Sequence, residues 1–205
     1  MSAIEDATKR ANEFGDRIQH LVVAKKECPT TDRNTLLMAY WSMVFEFHRA
    51  ILCLIHYKFY GAAFALVRPI LEAVIRAHVT IMGSDEDVQK LRNDEYRTNL
   101  ATIGKEIDTA FGLEGLLERL LDQGRLALHS YTHAGTMQLG RRFKGTDLTP
   151  NYSEGSLIEV IQVSTSSAFM VNNLVTKYLG FEEEWKQNSN LYEQWGKPTP
   201  SSNQA

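Results

Sequence analysis

The sequence predicts an all-α fold, an antiparallel bundle of about five to seven helices. Three observations predict it. Apolar residues recur every three or four positions over long segments, and capping residues with glycine or proline stops separate those segments. Two of the segments are apolar on most sides, which is typical of helices in the middle of a bundle.

The first two helices are predicted at residues 3–27 and 33–58. Pro29 closes the first, because proline cannot continue a helix. Thr31 or Asp32 is a suitable N-cap for the second. The second helix is apolar on most sides, so we expect it to be central.

A third helix is expected over residues 61–82, between Gly61 and Gly83. Pro69 lies inside this range and lacks the N–H that a helix interior needs. We therefore expect either a kink at Pro69 or a helix that begins there.

Three further helices follow. Ser84 with Asp87 is a capping pattern for a polar helix over residues 84–99, and we expect a further short helix over residues 98–111. Residues 113–132 show a regular helical period, so we expect one continuous helix there.

Residues 134–155 are rich in Gly, Thr, Asp, Asn and Pro and are predicted to be a loop, of a length that is usually functional or disordered. Ser156 with Glu159 then indicates the start of a last helix, which Gly180 ends after Tyr178. We expect residues 1–180 to form one bundle domain and residues 181–205 a polar extension, its last ten residues disordered.

Composition excludes several classes of protein. The formal net charge of −3 excludes a globally basic protein, so we expect no bulk DNA binding. Cys28 and Cys53 form no CxxC pair, which favours a reducing compartment over a zinc ribbon or a disulfide scaffold. The first residues show no apolar secretory segment, and charges interrupt the apolar region 36–82. We expect a cytoplasmic protein without a membrane segment.

Two predicted helices have narrow polar stripes on otherwise apolar surfaces. On the third helix, Arg68, Glu72 and Arg76 are spaced at i, i+4 and i+8. The stripe of the second helix consists of Thr35, Ser42, Glu46, Arg49, Cys53, His56 and Tyr60. So thin a stripe suits a groove or a paired charge network, and the alternative is an ordinary solvated ion pair. We expect both stripes to face the histidine-bearing helix, with Arg68, Glu72, Arg76, Glu46 and Arg49 in supporting roles.

The segment after residue 124 contains the densest group of chemically capable side chains: His129, Tyr131, His133, Gln138, Arg141, Arg142 and Lys144. Glu118, Asp122, Arg125, His129 and His133 share one face of the predicted 113–132 helix. The HxxxH spacing lacks a third ligand nearby, so we predict no metal site and no cofactor. The simpler alternative is a solvated helix end followed by a basic loop.

Two motifs, ALVRPILEAVIRA and LALHSYTHAGTMQLGRR, resemble those of an uncharacterised group of bacterial helical proteins with R-x-x-x-E and H-x-G segments. That group resembles the HEPN superfamily (higher eukaryotes and prokaryotes nucleotide-binding), whose members are helical bundles, often dimeric, and frequently toxins or defence ribonucleases. The resemblance covers residues 33–180. Catalytic HEPN proteins place four to six residues between an arginine and a histidine, and Arg125 departs from that spacing toward both His129 and His133.

The resemblance implies metal-independent RNA cleavage. His133 or His129 would be the general base, and Arg125, Arg141 or Arg142 would stabilise charge on the phosphate. Tyr131 and Gln138 would bind substrate beside them. The alternative is a non-catalytic module that senses a nucleotide or phosphate, or that pairs with itself or a partner protein. Trp185, Tyr192 and Trp195 suit such docking, or else pack back on their own bundle.

Overall fold

A computed structural model describes residues 2–25, 30–97, 99–111, 115–122 and 125–196. It confirms the all-α fold: long helices pack into a bundle, and the one small sheet of the described residues is a two-stranded antiparallel hairpin. The elements are α1 (Ala3–Val23), α2 (Asp32–His56), α3 (Tyr60–Ala65), α4 (Val67–Met82), α5 (Asp85–Arg92), α6 (Leu100–Phe111), α7 (Leu116–Asp122), α8 (Arg125–Thr132), α9 (Thr136–Gly140), β1 (Phe143–Lys144), β2 (Asp147–Leu148), α10 (Glu154–Tyr178) and α11 (Glu182–Gly196).

α2 is the central helix and packs against α1, α4 and α10. Thr31 is its N-cap and accepts a hydrogen bond from the Asn34 N–H, one of the two caps that the sequence allowed. By length and mean hydropathy (1.2) alone, α2 is the one helix of the described residues that could cross a membrane, a property that core helices share. The expected absence of a membrane segment therefore stays a prediction.

The third predicted helix is divided into α3 and α4 at Leu66, so it neither bends at Pro69 nor begins there. Proline at position 69 crowds the carbonyl four residues earlier, that of Ala65, which is the last residue of α3. Pro69 then lies in the first turn of α4, where its missing N–H leaves no helical bond unmade.

The segment 113–132, where one continuous helix was expected, is helical over α7 and α8. Residues 123–124 between them lie outside the described residues, so the continuity of this helix stays a prediction. The start of α7 is set by Asp108 of α6, whose buried carboxylate accepts hydrogen bonds from the N–H groups of Leu117 and Glu118, each at 2.8 Å. The expected stripe of Glu118, Asp122, Arg125, His129 and His133 spans this gap and also stays a prediction.

The segment 134–155 is ordered into α9, the β1–β2 hairpin and a short connection. Phe143 pairs with Leu148 and Lys144 with Asp147, and Gly145 takes a positive φ in the turn. α10 begins at Glu154, earlier than Ser156 and Glu159 indicated. Its N-cap is Ser153, whose hydroxyl accepts the Ser156 N–H at 3.2 Å.

Gly180 ends α10 as predicted, with a positive φ. Where a polar extension was expected, α11 packs on α1 and α10. Tyr192 stacks on Phe169 with ring centroids 3.9 Å apart, and Trp195 lies 5.7 Å from Phe14. The Lys177 ammonium of α10 is 5.9 Å from the Trp185 ring, so all three C-terminal aromatic side chains contact their own bundle.

Candidate functional site

One face of the molecule gathers residues from α3, α8, α9 and the connection before α10. We call it the tyrosine–arginine face, and its members are Gly61, Tyr131, Gln138, Arg141, Arg142 and Tyr152. Four of them, Tyr131, Gln138, Arg141 and Arg142, are substrate-binding residues predicted from the sequence.

Aromatic rings form the base of this face. The Phe64 ring lies 4.9 Å from the Tyr131 ring and 5.2 Å from the Tyr152 ring. Tyr60 meets Tyr152 edge-on at 5.6 Å. Such tilted arrangements are favourable between aromatic rings, so the cluster holds Tyr152 against α3.

Both arginines lie beside Tyr152. The guanidinium of Arg141 is 5.9 Å from the Tyr152 ring centre and donates to the Asn151 carbonyl at 3.3 Å. The Asn151 N–H donates back to the Arg141 carbonyl at 2.8 Å, which closes a short backbone loop. Arg141 is therefore held in place by its own connection to α10.

Gly61 allows Arg142 to approach α3. A Cβ on Gly61 would lie 2.9 Å from Arg142 Nη2 and 3.1 Å from the Tyr152 hydroxyl. Gln138 also reaches this position and donates from Nε2 to the Gly61 carbonyl at 3.2 Å. The absence of a side chain on Gly61 thus brings three side chains from later in the chain together.

The Tyr152 hydroxyl is buried and has no hydrogen-bond partner among the described residues. Burial raises the pKa of this phenol above its usual value, Tyr131 adds to the rise, and Arg142 and Arg141 oppose it. Tyr152 is therefore a neutral phenol at physiological pH, able to donate one hydrogen bond.

His129 and His133 are adjacent but exposed, with ring centroids 4.4 Å apart and the planes tilted by 48°. His133 follows the last residue of α8, and Ala134 then takes a φ of +53°. Within the described ranges no three His, Cys, Asp or Glu side chains group as a metal site would require. The side chain of Arg125, the third predicted catalytic residue, lies outside what the structure describes.

The predicted supporting residues lie outside the tyrosine–arginine face. Arg68 donates from Nε to Glu72 at 2.7 Å, and Arg76 pairs with Asp94 at 3.6 Å. These side chains line a cleft together with Tyr96 and other residues of the α5–α6 connection. Arg68 also lines a second cleft with Leu121, Asp122 and Leu128, so the stripe of α4 faces α6, α7 and the side of α8.

The polar stripe of α2 does not face the histidine-bearing helix, which corrects that expectation. Arg49 donates to Asp16 at 3.0 Å and to Gln19 at 2.6 Å, both on α1, and Glu46 is exposed. Arg49 is itself about half exposed, so this part of the stripe is a solvated contact between two helices.

Sequence reasoning missed Tyr152, Gly61 and Phe64 as members of the site, and it assigned Tyr60 to the polar stripe of the second helix. Tyr152 stood in a segment interpreted as loop, and Gly61 was interpreted as a helix breaker. The available signal was aromatic: Tyr60 and Phe64 are spaced at i and i+4 directly after the central helix, so they present one aromatic edge.

A family model, that of a family of unknown function (DUF6988), matches residues 41–200. The chain belongs to DUF6988. The match includes every member of the tyrosine–arginine face, the two histidines and the stripe of α4, and it leaves out the whole of α1. No curated protein and no solved structure matches this DUF6988 chain.

Proposed function

We propose that the tyrosine–arginine face binds the phosphates of single-stranded RNA. The observation that carries the proposal is the placement of two guanidinium groups on one aromatic cluster. Across the described residues, no carboxylate forms a salt bridge with Arg141 or Arg142. Arginine without a carboxylate partner is suited to the planar, two-point recognition of phosphate.

The charge distribution favours the same ligand. Residues 125–153 contain four Lys or Arg and one acidic residue, a formal charge of +3 in a chain of net charge −3. The rest of the chain is thus clearly acidic. A basic surface on an acidic protein concentrates a polyanion at one place, as RNA binding by a local surface requires.

The aromatic part of the face suits single strands. Unpaired bases stack on exposed aromatic rings and on arginine planes, and Phe143 on the adjoining hairpin is 41% exposed. The neutral Tyr152 hydroxyl would supply one donor to a phosphate or a ribose oxygen.

Fluorescence anisotropy with a labelled 12-nucleotide RNA tests the proposal. Arg142→Gln should weaken binding about fivefold near 0.1 M salt and lower the salt slope by about 0.7, because one phosphate contact is lost. The matched control is Lys186→Gln, which removes the same charge from an exposed residue of α11. Equal effects of the two substitutions, or no binding by the unchanged protein, would contradict the proposal.

A second candidate function, metal-independent RNA cleavage, is favoured by the contact between the His129 and His133 rings. One imidazole would take the proton of a ribose 2′-hydroxyl as it attacks phosphorus, and the other would protonate the departing 5′-oxygen. With this activity the chain would be a HEPN-like ribonuclease. The resemblance to HEPN proteins implies a homodimeric toxin of bacterial defence.

Cleavage is tested on a mixed RNA substrate with a chelator present. His133→Ala should lower the rate by about 10²- to 10⁴-fold and relieve any growth defect on overexpression. His56→Ala, at an exposed histidine of α2, is the control and should change neither. RNA that is bound but not cut would contradict the cleavage function and would leave RNA binding as the proposed function.

A further inference from the structure

A cleft with a volume of ≈ 610 Å³ lies between α4, α10 and α11. Its walls include the stacked rings of Phe169 and Tyr192, together with Trp185 and Tyr178. A cleft of this size with aromatic walls is typical of small-molecule sites.

Three buried polar atoms on the residues that line this cleft have no hydrogen-bond partner among the described residues: Trp185 Nε1, Asn173 Oδ1 and His78 Nδ1. They come from three different helices. The described residues contain only five such atoms, so three of the five belong to one cleft. Buried polar groups are nearly always paired, and a group of unpaired ones at a cleft therefore indicates that a ligand completes them.

The chemistry of the three groups defines the ligand. The Trp185 indole N–H can only donate, so the ligand must present an acceptor. The Asn173 amide can accept or donate, and the pKa of His78 is lowered by burial, which keeps its ring neutral and able to do either. The aromatic walls favour a flat molecule. Lys177, with its ammonium 5.9 Å from the Trp185 ring, lies among the lining residues as well.

We propose that the cleft between α4, α10 and α11 is a binding site for an uncharged, planar nitrogen heterocycle. A ring nitrogen of the ligand accepts from the Trp185 indole N–H, and a neighbouring N–H or amino group meets Asn173 and His78. This site is separate from the tyrosine–arginine face and does not depend on the function proposed for it.

Two probes of nearly equal shape separate the required acceptor from general apolar binding. Benzimidazole has a ring acceptor and an N–H, whereas indole has the N–H alone. Titration near pH 7.5, followed through the indole N–H resonances of ¹⁵N-labelled protein, should move the Trp185 signal with benzimidazole. Binding of benzimidazole should be at least about tenfold tighter than binding of indole, the cost of leaving a buried donor unpaired.

Variants identify the side chains that are responsible for the preference for benzimidazole. Trp185→Phe should bring the two affinities to within about twofold of each other, because the donor that distinguishes them is gone. Asn173→Ala should weaken benzimidazole about tenfold. Trp195→Phe is the matched control, the same change on the same helix at a residue outside the lining of this cleft, and should preserve the preference. Equal affinity for both probes, no binding of either, or a preference that survives Trp185→Phe overturns the proposal.

Discussion

Gly15 on α1 lies directly against the ring of His48 on α2. A Cβ at Gly15 would be 2.8 Å from His48 Nε2 and 3.1 Å from Cδ2. The ring has little room to move, since His48 is 1% exposed and its Nδ1 is 3.1 Å from the Ser164 hydroxyl of α10. One missing methyl group therefore sets how closely three helices approach.

Gly15→Ala should destabilise the protein by about 1–3 kcal/mol, because the buried ring must shift to admit the methyl group. Gly155→Ala is the control, since no atom of the described residues lies within 4 Å of its Cβ position on α10. That change should stabilise by about 0.5–1 kcal/mol through helix propensity. Urea unfolding measures both, and a gain at Gly15 equal to that at Gly155 would show that the His48 ring can move aside.

His48 also predicts a dependence of stability on pH. Desolvation lowers the pKa of its imidazole from 6.5 to about 4, so the folded state holds the ring neutral. The unfolded chain takes up this proton below pH 6.5, whereas the folded chain does so only below about pH 4. As the pH is lowered from 6.5 to about 4, the free energy of unfolding should therefore fall by on the order of 3 kcal/mol.

The measurement is urea unfolding at half-unit steps from pH 4 to 7.5. His48→Gln should remove most of the slope, and a smaller slope of the same sign remains from His78, whose pKa is also lowered by burial. His56→Gln should leave the slope unchanged. A flat profile in the unchanged protein would mean that water reaches the His48 ring.

At the scale of elements, four helices end in the same way. The residue after the C-cap has a positive φ, and the next N–H donates to a carbonyl five residues earlier. Gly180 occupies that position after α10, which suits its lack of a side chain. The other three helices, α2, α5 and α8, place a residue with a side chain there: Lys58, Asp94 and Ala134.

Lys58→Gly should stabilise the protein by up to about 1 kcal/mol, because the left-handed conformation costs a lysine that much more than a glycine. Gly180→Ala makes the reverse change after α10 and should destabilise by about the same amount. Thermal unfolding of the pair provides the check. If both changes have the same sign, the conformation of the cap does not determine the effect.

The caps and stops of the helices show which helix boundaries could be predicted from the sequence. Ser84 with Asp87, Thr31 and Gly180 act within a few residues of themselves, so their caps and stops were predictable. The start of α7 depends on a carboxylate of another helix, Asp108, and no local pattern shows such a contact.

The residues of the candidate site also divide into those that local sequence patterns predict and those that only packing brings together. Tyr131, Gln138, Arg141 and Arg142 are close in sequence, and their grouping was predicted as a dense segment. Gly61 precedes them by about seventy residues or more, and its contact with Gln138 is a product of packing. Fold class follows from repeated local patterns, whereas a site assembled from distant segments does not.

At the scale of the whole molecule, Asn172 joins the four helices α1, α2, α10 and α11. It accepts from the Trp41 indole at 2.9 Å and donates to the Ile18 carbonyl at 3.0 Å and to Asn188 at 3.2 Å. Asn172 is fully buried, so each of these bonds is made away from water.

Asn172→Ala should destabilise by about 2–4 kcal/mol, since it leaves the Trp41 N–H buried without a partner and opens a void. Asn173→Ala, one position along α10, should change stability by less than about 1 kcal/mol because its side-chain oxygen Oδ1 has no partner to lose among the described residues. Urea unfolding of both variants gives the comparison. Similar losses would mean that the four-helix network contributes nothing beyond helix α10 itself.

The packing of α1 has a consequence for biosynthesis. Its apolar side, with Ala11, Phe14 and Ile18, is covered largely by α10 and α11, and α10 begins about 130 residues after α1 ends. At roughly 5–20 residues per second, a ribosome needs on the order of 10 s to make that cover. During this time the nascent chain presents a bare apolar helix, so a chaperone that holds such helices would meet α1 before α10 does.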